Sequence, residues 1–351
     1  MSKTFYKNLY QQSLGIVGGG QLGRMMAYRA SLLGFVVRVY SDATNSPASV
    51  FANEELVGSY FDAQAINNFA KKNTFTTTEF ENISTKNLEP IISPLPSAIF
   101  ECQNRIREKS LAKSLGIKTP IFAEVLTKDD AVKFFNQNGK FILKTTELGY
   151  DGKGQYKILS LKDIEAVEFN APYIAEQFVD FELEFSVVLT RGEDGLIVFY
   201  PSAINQHKNG ILDISIVKKD FNLTPAVQRA REYAALIAKT LAYKGTMAVE
   251  FFLNKDKSVV FNEIAPRPHN SGHYTMDMCN VCQFENHIRA VCNLPLITPA
   301  LLFEGKMLNL IGPQSLELLN RYAASSKAKI HLYSKAEVKA GRKLGHINII
   351  D

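Results

Sequence analysis

Two patterns in the sequence predict a chain that combines α/β and α+β architecture. In the first hundred residues, apolar strand patterns alternate with helical spacing, which is typical of a parallel sheet. Further along, strand patterns dominate and strand–helix–strand repeats are few, which is typical of an α+β domain. A length of 351 residues allows two or three such domains.

The N-terminal part predicts a Rossmann-like unit. A short apolar run at residues 14–17 is followed by a glycine-rich loop, a helical pattern over 21–33 that Gly34 ends, and a Val-rich strand over 35–40. This order is a βαβ unit. The Pro-containing segment 88–96 precedes a new helical pattern over 105–115, so we place the first domain at residues 1–100.

The remaining chain predicts a strand-rich central domain over residues 101–295 and a small C-terminal β-rich domain over 296–351. A helix is expected over 225–241, where apolar residues recur with helical spacing. Central strands are expected at residues 141–145, 155–159, 173–178, 185–189, 196–200, 246–253 and 258–264. C-terminal strands are expected at 307–311, 328–333 and 345–350.

Composition excludes several classes of protein. With 46% hydrophobic and 21% charged residues the chain is globular, and a dispersed net charge of +5 argues against a nucleic-acid partner. No apolar run is long enough for a membrane span, and we expect a cytoplasmic protein without a secretory leader. Four cysteines form no disulfide framework. Cys279 and Cys282 form one isolated C-x-x-C, which we assign to packing within a helix.

The first glycine loop fits a dinucleotide-binding fingerprint. Gly18, Gly20 and Gly23 follow a strand and open a helix, and Asp42 stands where a ribose-binding acid would. An NAD-dependent dehydrogenase is therefore one hypothesis. The same loop could bind another anion at the helix N-terminus, or only form a tight turn.

A second glycine loop carries stronger evidence for a polyphosphate. Residues 149–155 contain three glycines and a lysine between two strands, and Lys144 lies on the first strand. Backbone amides and lysines of this kind can surround phosphate oxygens. The alternative is a flexible hairpin with a solvated lysine.

Two carboxylates in apolar strands predict a metal site. Glu250 and Glu263 each lie within a strongly apolar run, and burying an unpaired carboxylate is costly. A shared Mg²⁺ beside a phosphate loop would explain both, although solvent-facing positions on edge strands are the alternative. Arg267 follows between two prolines, which aim a guanidinium that could stabilise a phosphorylated intermediate.

These motifs together resemble the ATP-grasp superfamily of carboxylate–amine ligases, and within it the 5-(carboxyamino)imidazole ribonucleotide synthase family, over essentially the whole chain. The resemblance rests on the stretches GGGQLGRM at 18–25, TEFEN at 78–82, residues 149–155, NGIL at 209–212, residues 266–273, QFENH at 283–287 and GRKLGH at 341–346.

The resemblance implies an ATP-grasp architecture with a pre-ATP-grasp first domain. It also implies an activity in purine biosynthesis: ATP phosphorylates bicarbonate to carboxyphosphate, and the amine of 5-aminoimidazole ribonucleotide captures either this intermediate or CO₂ released from it. ADP and phosphate are released. Family members are commonly dimers, so the implied partners are small-molecule substrates, Mg²⁺ and a second copy of the chain.

The resemblance also implies a role for each matching position. The ATP phosphates would be held by Arg105, Lys144, Gly149, Tyr150, Asp151, Gly152, Lys153, Gly154 and Gln155. Adenine would contact Glu176, Gln177, Phe178 and Val179. The rest of the nucleotide would contact Glu184, His207, Asn262 and Glu263. Glu250 and Glu263 would ligate Mg²⁺, with Arg267 as the catalytic residue. The ribonucleotide would contact Gln21, Leu22, Glu79, Asn270, Lys335, Arg342 and Lys343.

The chain departs from the family pattern beside the nucleotide site. Thr146 and Leu148 replace an Arg and a Gly, Leu183 replaces an Arg, and Ala203-Ile204 replaces Val-Glu. Because of these changes, the family pattern does not predict the mobility of the second glycine loop or the affinity for ATP in this chain. Two further hypotheses stay open: a formate-dependent glycinamide ribonucleotide transformylase of the same fold, and a catalytically silent ATP-binding module.

Overall fold

The computed structural model describes residues 12–149, 154–335 and 337–351. Its first region is a parallel four-stranded sheet in the order β3-β2-β1-β4, which confirms the predicted Rossmann-like unit. Its elements are β1 (Ser13–Val17), α1 (Gln21–Leu32), β2 (Val36–Ser41), β3 (Glu54–Val57), α2 (Ala63–Lys71), β4 (Phe75–Thr78) and α3 (Pro96–Cys102). Apolar residues of β1, β2 and α1 form its core.

A second, smaller sheet is antiparallel, with the order β5-β8-β6-β7. Asn104 caps the helix that leads into it by accepting hydrogen bonds from the backbone N–H groups of Ile106 and Arg107. The elements are α4 (Arg105–Ser114), β5 (Phe122–Val125), α5 (Lys128–Asn138), β6 (Phe141–Thr145), β7 (Gln155–Ile158), α6 (Leu161–Glu165) and β8 (Tyr173–Gln177). The loop between β6 and β7 is the second glycine loop.

The largest sheet has nine strands in the order β14-β13-β9-β11-β12-β15-β17-β16, with β10 paired to β9. Its central elements are β9 (Phe181–Arg191), β10 (Ile197–Phe199), β11 (Ala203–Lys208), β12 (Ile211–Val217), α7 (Lys219–Asn222), α8 (Pro225–Thr240), β13 (Gly245–Asn254), β14 (Val259–Ala265), α9 (Thr275–Met278) and α10 (Gln283–Val291). The C-terminal elements are β15 (Gly305–Ile311), α11 (Ser315–Tyr322), β16 (Ala328–Leu332) and β17 (Lys343–Ile350).

The C-terminal strands extend the central sheet. Strand β15 pairs antiparallel with β12 and then with β17, so backbone hydrogen bonds run without interruption from the central strands into the C-terminal region. Side chains on β15–β17 are thereby held at fixed positions relative to β11 and β12. This continuity brings Lys343, at the start of β17, close to the central strands.

The prediction for the C-x-x-C pair is wrong in one respect. Cys279 ends α9 and Cys282 caps α10, so the two residues flank a short connection between helices. Both thiols are buried and unbonded to one another, and burial raises the pKa of each, that of Cys279 to about 12. Across the described part of the chain, no helix is both long and apolar enough to cross a membrane.

Candidate active site

The two predicted metal carboxylates face each other across neighbouring strands. Glu250 on β13 pairs in register with Glu263 on β14. Glu250 is only 3% exposed, and its pKa is raised well above the usual range by burial and by the charges of Glu184 and Glu263. Two carboxyl groups so close favour a shared cation. The burial of Glu250 contradicts the solvent-facing alternative at that position, whereas Glu263 lies on the edge strand β14 and its side chain is 36% exposed.

Arg105 stabilises the ionised form of the second carboxylate. Its Nη1 lies 2.8 Å from Oε2 of Glu263. Burial alone would raise the pKa of Glu263, but Arg105 lowers it to about 2. The pKa values of the two facing carboxyl groups are therefore shifted in opposite directions, that of Glu250 upward and that of Glu263 downward.

Three predicted nucleotide-binding residues lie beside this pair. His207 Nδ1 is 2.9 Å from Oε2 of Glu184, and Asn262 donates a hydrogen bond of 3.2 Å to the other oxygen. Burial lowers the pKa of His207, but the hydrogen bond and charge of Glu184 leave it raised overall. The ligand atoms of Glu184, His207 and Glu250 all lie within 4.8 Å of one another. Side chains predicted for the nucleotide and for the metal thus form one cluster.

Arg267 links the central strands to the N-terminal region. Its Nε donates a 2.8 Å hydrogen bond to Glu81, and Nη2 lies 3.4 Å from the second carboxylate oxygen. Glu81 follows β4 in the first region. Burial and the charge of Arg267 lower the pKa of neighbouring His269 to about 3, so this imidazole is neutral at physiological pH. A two-point contact of this kind fixes the plane of a guanidinium.

The first glycine loop closes around a carboxylate of the chain itself. Glu79 accepts hydrogen bonds from the backbone N–H groups of Gly20 and, at 3.1 Å, Leu22. A Cβ added at Gly18 would lie 2.3 Å from Glu79 Cβ, and one at Gly20 would lie 2.2 Å from Glu79 Oε1. Glu79 therefore occupies the place where a pyrophosphate would meet the loop, which argues against the dinucleotide interpretation. Burial raises the pKa of Glu79.

Residues from all three regions line one cavity of about 470 Å³. The predicted residues in its wall are Gln21, Leu22, Glu79, Arg105, Gly149, Gln155, His207, Glu250, Glu263, Arg267, Asn270 and Lys343. Asn270 is held by reciprocal amide hydrogen bonds of 3.0 and 2.7 Å with Asn309 on β15. The glycine-loop contacts, the carboxylate pair and the guanidiniums are thus parts of a single site.

Among the residues predicted to hold the ATP phosphates, the buried charges are already paired. Lys144 Nζ and Lys109 Nζ lie 3.1 and 3.2 Å from the same oxygen of Glu176. Arg105 donates a 3.2 Å hydrogen bond to the carbonyl of Gly149 at the start of the second glycine loop. In that loop Gly154 is described, whereas the predicted contacts Tyr150, Asp151, Gly152 and Lys153 lie outside the described residues.

The predicted adenine stretch is divided between two environments. Gln177, Phe178 and Val179 line a second cavity of about 430 Å³ together with Lys118 and Val260. The side chain of Glu176 instead contacts the two buried lysines described above.

The predicted basic residues of the C-terminal region differ in position. Lys343 belongs to the described wall of the main cavity, which includes neither Lys335 nor Arg342. Lys335 is near Glu79, whose pKa its charge lowers, and burial lowers the pKa of Lys335 itself. Arg342 Nη1 lies 3.6 Å from Glu337. The structure thus brings one of the three directly to the cavity.

Sequence reasoning missed two buried ionisable side chains on α4. Lys109 donates a 2.6 Å hydrogen bond to the carbonyl of Asn262, and Glu108 accepts one of 2.9 Å from the backbone N–H of Ile264. Burial raises the pKa of Glu108 to about 8. With Arg105 these residues have the i, i+3, i+4 spacing of one helix face, a signal that could have identified them.

A small antiparallel sheet beside a larger sheet that carries paired carboxylates defines an ATP-grasp fold. Family models agree region by region: a ribonucleotide synthetase pre-ATP-grasp domain matches residues 11–100, and an ATP-grasp domain matches 110–284. A phosphoribosylaminoimidazole carboxylase C-terminal domain matches residues 306–351.

Relatives narrow this class to one family. N5-carboxyaminoimidazole ribonucleotide synthase from Bacillus subtilis is 39% identical, over 96% of this chain and 91% of its own. The Staphylococcus aureus synthetase complexed with ADP is 36% identical with a TM-score of 0.91, over 97% and 94% of the two chains. The Aspergillus clavatus synthase in complex with ADP and 5-aminoimidazole ribonucleotide is 31% identical with a TM-score of 0.89, over 98% and 94%. The chain belongs to the N5-carboxyaminoimidazole ribonucleotide synthase family of ATP-grasp enzymes.

Proposed function

We propose that the chain carboxylates 5-aminoimidazole ribonucleotide with ATP and bicarbonate, giving 5-carboxyamino-1-(5-phosphoribosyl)imidazole, ADP and phosphate in de novo purine biosynthesis. One observation carries the proposal. The carboxylate pair Glu250 and Glu263, the guanidinium of Arg267 and the glycine-loop acid Glu79 line the same cavity. Phosphoryl transfer and amine capture can therefore take place in one cavity, so that a reactive intermediate need not leave it between the two steps.

ATP would bind between the two antiparallel sheets. Gln177, Phe178 and Val179 line the second cavity and would contact adenine, with Glu184, His207 and Asn262 on the ribose side. Arg105, Lys144 and the loop 149–155 would hold the phosphates. Arg105 is paired with Glu263, so nucleotide binding would exchange that carboxylate for phosphate oxygens.

Glu250 and Glu263 have the donor set for Mg²⁺. Hard carboxylate oxygens on adjacent strands match a divalent cation that also binds substrate phosphates. The pKa of one of them, Glu250, is raised by burial and by the charges of Glu184 and Glu263. When bound, Mg²⁺ would neutralise charge on the phosphates during transfer. Glu263 would then contact both metal and nucleotide.

Chemistry in the cavity would follow in two steps. A bicarbonate oxygen attacks the γ-phosphorus of ATP and displaces ADP, giving carboxyphosphate, whose charge Arg267 would stabilise. The exocyclic amine then attacks the carboxyl carbon, phosphate leaves, and the nitrogen loses a proton. Gln21, Leu22, Glu79 and Asn270 would orient the ribonucleotide, and the basic residues Lys335, Arg342 and Lys343 would bind its phosphate.

An omission assay tests the proposal. ADP release is measured with 5-aminoimidazole ribonucleotide and bicarbonate, each left out in turn, while NAD reduction is followed in parallel. We expect turnover only when both are present, and no NAD reduction. Release that needs formate and glycinamide ribonucleotide, with none from aminoimidazole ribonucleotide, would refute the proposal in favour of the transformylase. ATP binding without turnover would favour the silent module.

We further propose a cytoplasmic homodimer. The four cysteines are buried and free, which suits a reducing compartment. The dimer rests on the family resemblance alone. Sedimentation of the purified chain across a concentration series tests it, and a single monomeric species at every concentration would contradict it.

A further inference from the structure

A chain of buried aromatic and polar side chains lies behind the cavity wall, between the central region and the C-terminal strands. His331 on β16 stacks on His346 on β17, with ring centroids 4.5 Å apart and planes 15° apart. His346 in turn lies 4.9 Å from the ring of His273, which lines the main cavity. Three imidazoles thus connect the C-terminal strand pair to the site.

The two C-terminal strands are also tied to α9 by one acid. Asp277 accepts a hydrogen bond of 2.7 Å from Asn348 on β17, and its Oδ2 lies 2.7 Å from His331 Nε2. Asn348 also donates to the backbone carbonyl of His273 at 3.2 Å. The carboxylate side chain is 9% exposed, so these contacts are shielded from water, where a hydrogen bond is worth more than at the surface.

Beyond the pairing of β16 with β17, two hydrogen bonds join the stretches that carry the basic residues. Tyr333 OH and His346 Nδ1 are 2.9 Å apart, and the Tyr333 N–H donates to the carbonyl of Leu344. Tyr333 is 1% exposed and His346 is fully buried. Lys335 lies two residues after Tyr333, and Lys343 three residues before His346. Movement of either stretch would therefore move a cation relative to the cavity.

We propose that Tyr333, His346 and Asp277 are positioning residues for the phosphate-bearing end of the ribonucleotide. They hold the flanks of Lys335 and Lys343 against the cavity wall at His273 and touch no substrate themselves. Among the described residues, those predicted for adenine and ribose make no hydrogen bond to Tyr333, His346 or Asp277. Loss of the contacts made by Tyr333, His346 and Asp277 is therefore predicted to weaken ribonucleotide binding and to leave ATP binding unchanged. The inference rests on the proposed function for the identity of that substrate.

The test is Tyr333→Phe, which removes the hydroxyl and keeps the ring. We expect the KM for aminoimidazole ribonucleotide to rise roughly three- to tenfold, which is the size of effect expected from the loss of one buried hydrogen bond. The KM for ATP, and kcat at saturating ribonucleotide, should stay within about twofold of the wild type. Tyr200→Phe is the matched control, because it removes an equally buried hydroxyl that hydrogen-bonds the carbonyl of Cys282 and the amide of Asn286 and neither of the stretches that carry Lys335 and Lys343. It should lower stability without moving either KM.

A second variant and a binding measurement make the result decisive. Asp277→Ala should raise the ribonucleotide KM in the same way, and Asp277→Asn, which retains an acceptor for His331, should restore part of it. Direct titration with ribose 5-phosphate should show weaker binding to Tyr333→Phe than to wild type. An unchanged ribonucleotide KM in both variants, or an equal rise in both KM values, would overturn the inference, as would wild type that does not bind ribose 5-phosphate. Wild type that binds ribose 5-phosphate without ribonucleotide-dependent ADP release would instead refute the proposed function alone.

Discussion

Two regions of the molecule hold acidic side chains beside the same cavity, and they hold them in different ways. In the first glycine loop, Glu79 accepts hydrogen bonds from the backbone N–H groups of Gly20 and Leu22. It packs so closely against Gly18 and Gly20 that neither position has room for a Cβ atom. On β13 and β14 the neighbours are side chains: Glu263 is paired with Arg105, and Glu250 lies beside the carboxyl groups of Glu184 and Glu263.

The difference separates a fixed acid from an exchangeable one. Backbone donors at a helix N-terminus cannot leave without unfolding the turn, so Glu79 is part of the fold. A guanidinium on a long side chain can trade one anion for another when nucleotide arrives. A glycine fingerprint therefore marks an anion site without identifying the anion, which here belongs to the chain itself.

The largest expected effect is a loss of turnover when Glu263, the acid paired with Arg105, is substituted. Glu263→Gln keeps the shape and removes the charge, and we expect Mg²⁺-dependent turnover to fall roughly 100-fold or more. Glu182→Gln, at an exposed acid paired with Lys257, is the control and should keep wild-type rates. Steady-state ADP release across a Mg²⁺ series measures both. Wild-type turnover in Glu263→Gln would remove this residue from the metal site.

Glu79→Gln tests whether the glycine-loop acid is fixed. An amide in place of the carboxylate weakens two hydrogen bonds from buried N–H groups, so we expect the free energy of unfolding to fall by about 1–3 kcal/mol. Denaturant titration measures the change. The KM for ATP should be unaffected in the folded variant. A variant as stable as wild type would mean that Glu79, like Glu263, is only loosely held.

Glu108 is held in a third way. It accepts a hydrogen bond from the backbone N–H of Ile264, and burial raises its pKa to about 8 against an ordinary 4.5. Between these pH values the folded chain holds a proton that the unfolded chain has lost. Stability from this group is therefore complete below pH 4.5 and decreases as the pH rises to about 8.

Glu108→Gln removes that titration and keeps an acceptor for Ile264. Relative to the variant, wild type should lose up to about 1.4 kcal/mol of unfolding free energy per pH unit in this window. Parallel denaturant titrations at several pH values measure the difference. Identical pH dependence in the two proteins would show that Glu108 is ionised throughout.

The smallest effect is expected at Leu148, which adopts φ +61° just before the second glycine loop. Gly has no steric penalty there, but it gains freedom in the unfolded chain, so Leu148→Gly should change the unfolding free energy by less than about 1 kcal/mol, in the stabilising direction. Leu126→Gly, at an equally exposed leucine with negative φ, should destabilise. Stabilities in the opposite order would contradict the strain assigned to Leu148.

Local signals explain what the sequence could predict. The helix expected over residues 225–241 is present as Pro225–Thr240, because Thr224 caps it and proline suits its first turn. A carboxylate inside an apolar strand is rare enough that Glu250 and Glu263 could be singled out without a structure.

Long-range contacts explain what it could not. The partner of Glu263 is Arg105, 158 residues away, and that of Arg267 is Glu81, 186 residues away. No local pattern encodes such pairs. For the same reason Glu176, expected at adenine, has its side chain against Lys109 and Lys144. The apolar neighbours of the C-x-x-C predict a single helix, but they carry no information on where a helix ends. In the structure Cys279 ends α9 and Cys282 caps α10.

The most direct test of bicarbonate activation in this cavity follows an oxygen atom. The chain is incubated with ATP, aminoimidazole ribonucleotide and ¹⁸O-labelled bicarbonate, and the released phosphate is analysed by mass spectrometry. Attack of a bicarbonate oxygen on the γ-phosphorus, followed by cleavage of the carbon–oxygen bond, predicts that each phosphate carries one oxygen from bicarbonate. Phosphate without that label, released at the rate of product formation, would contradict phosphorylation of bicarbonate by this enzyme.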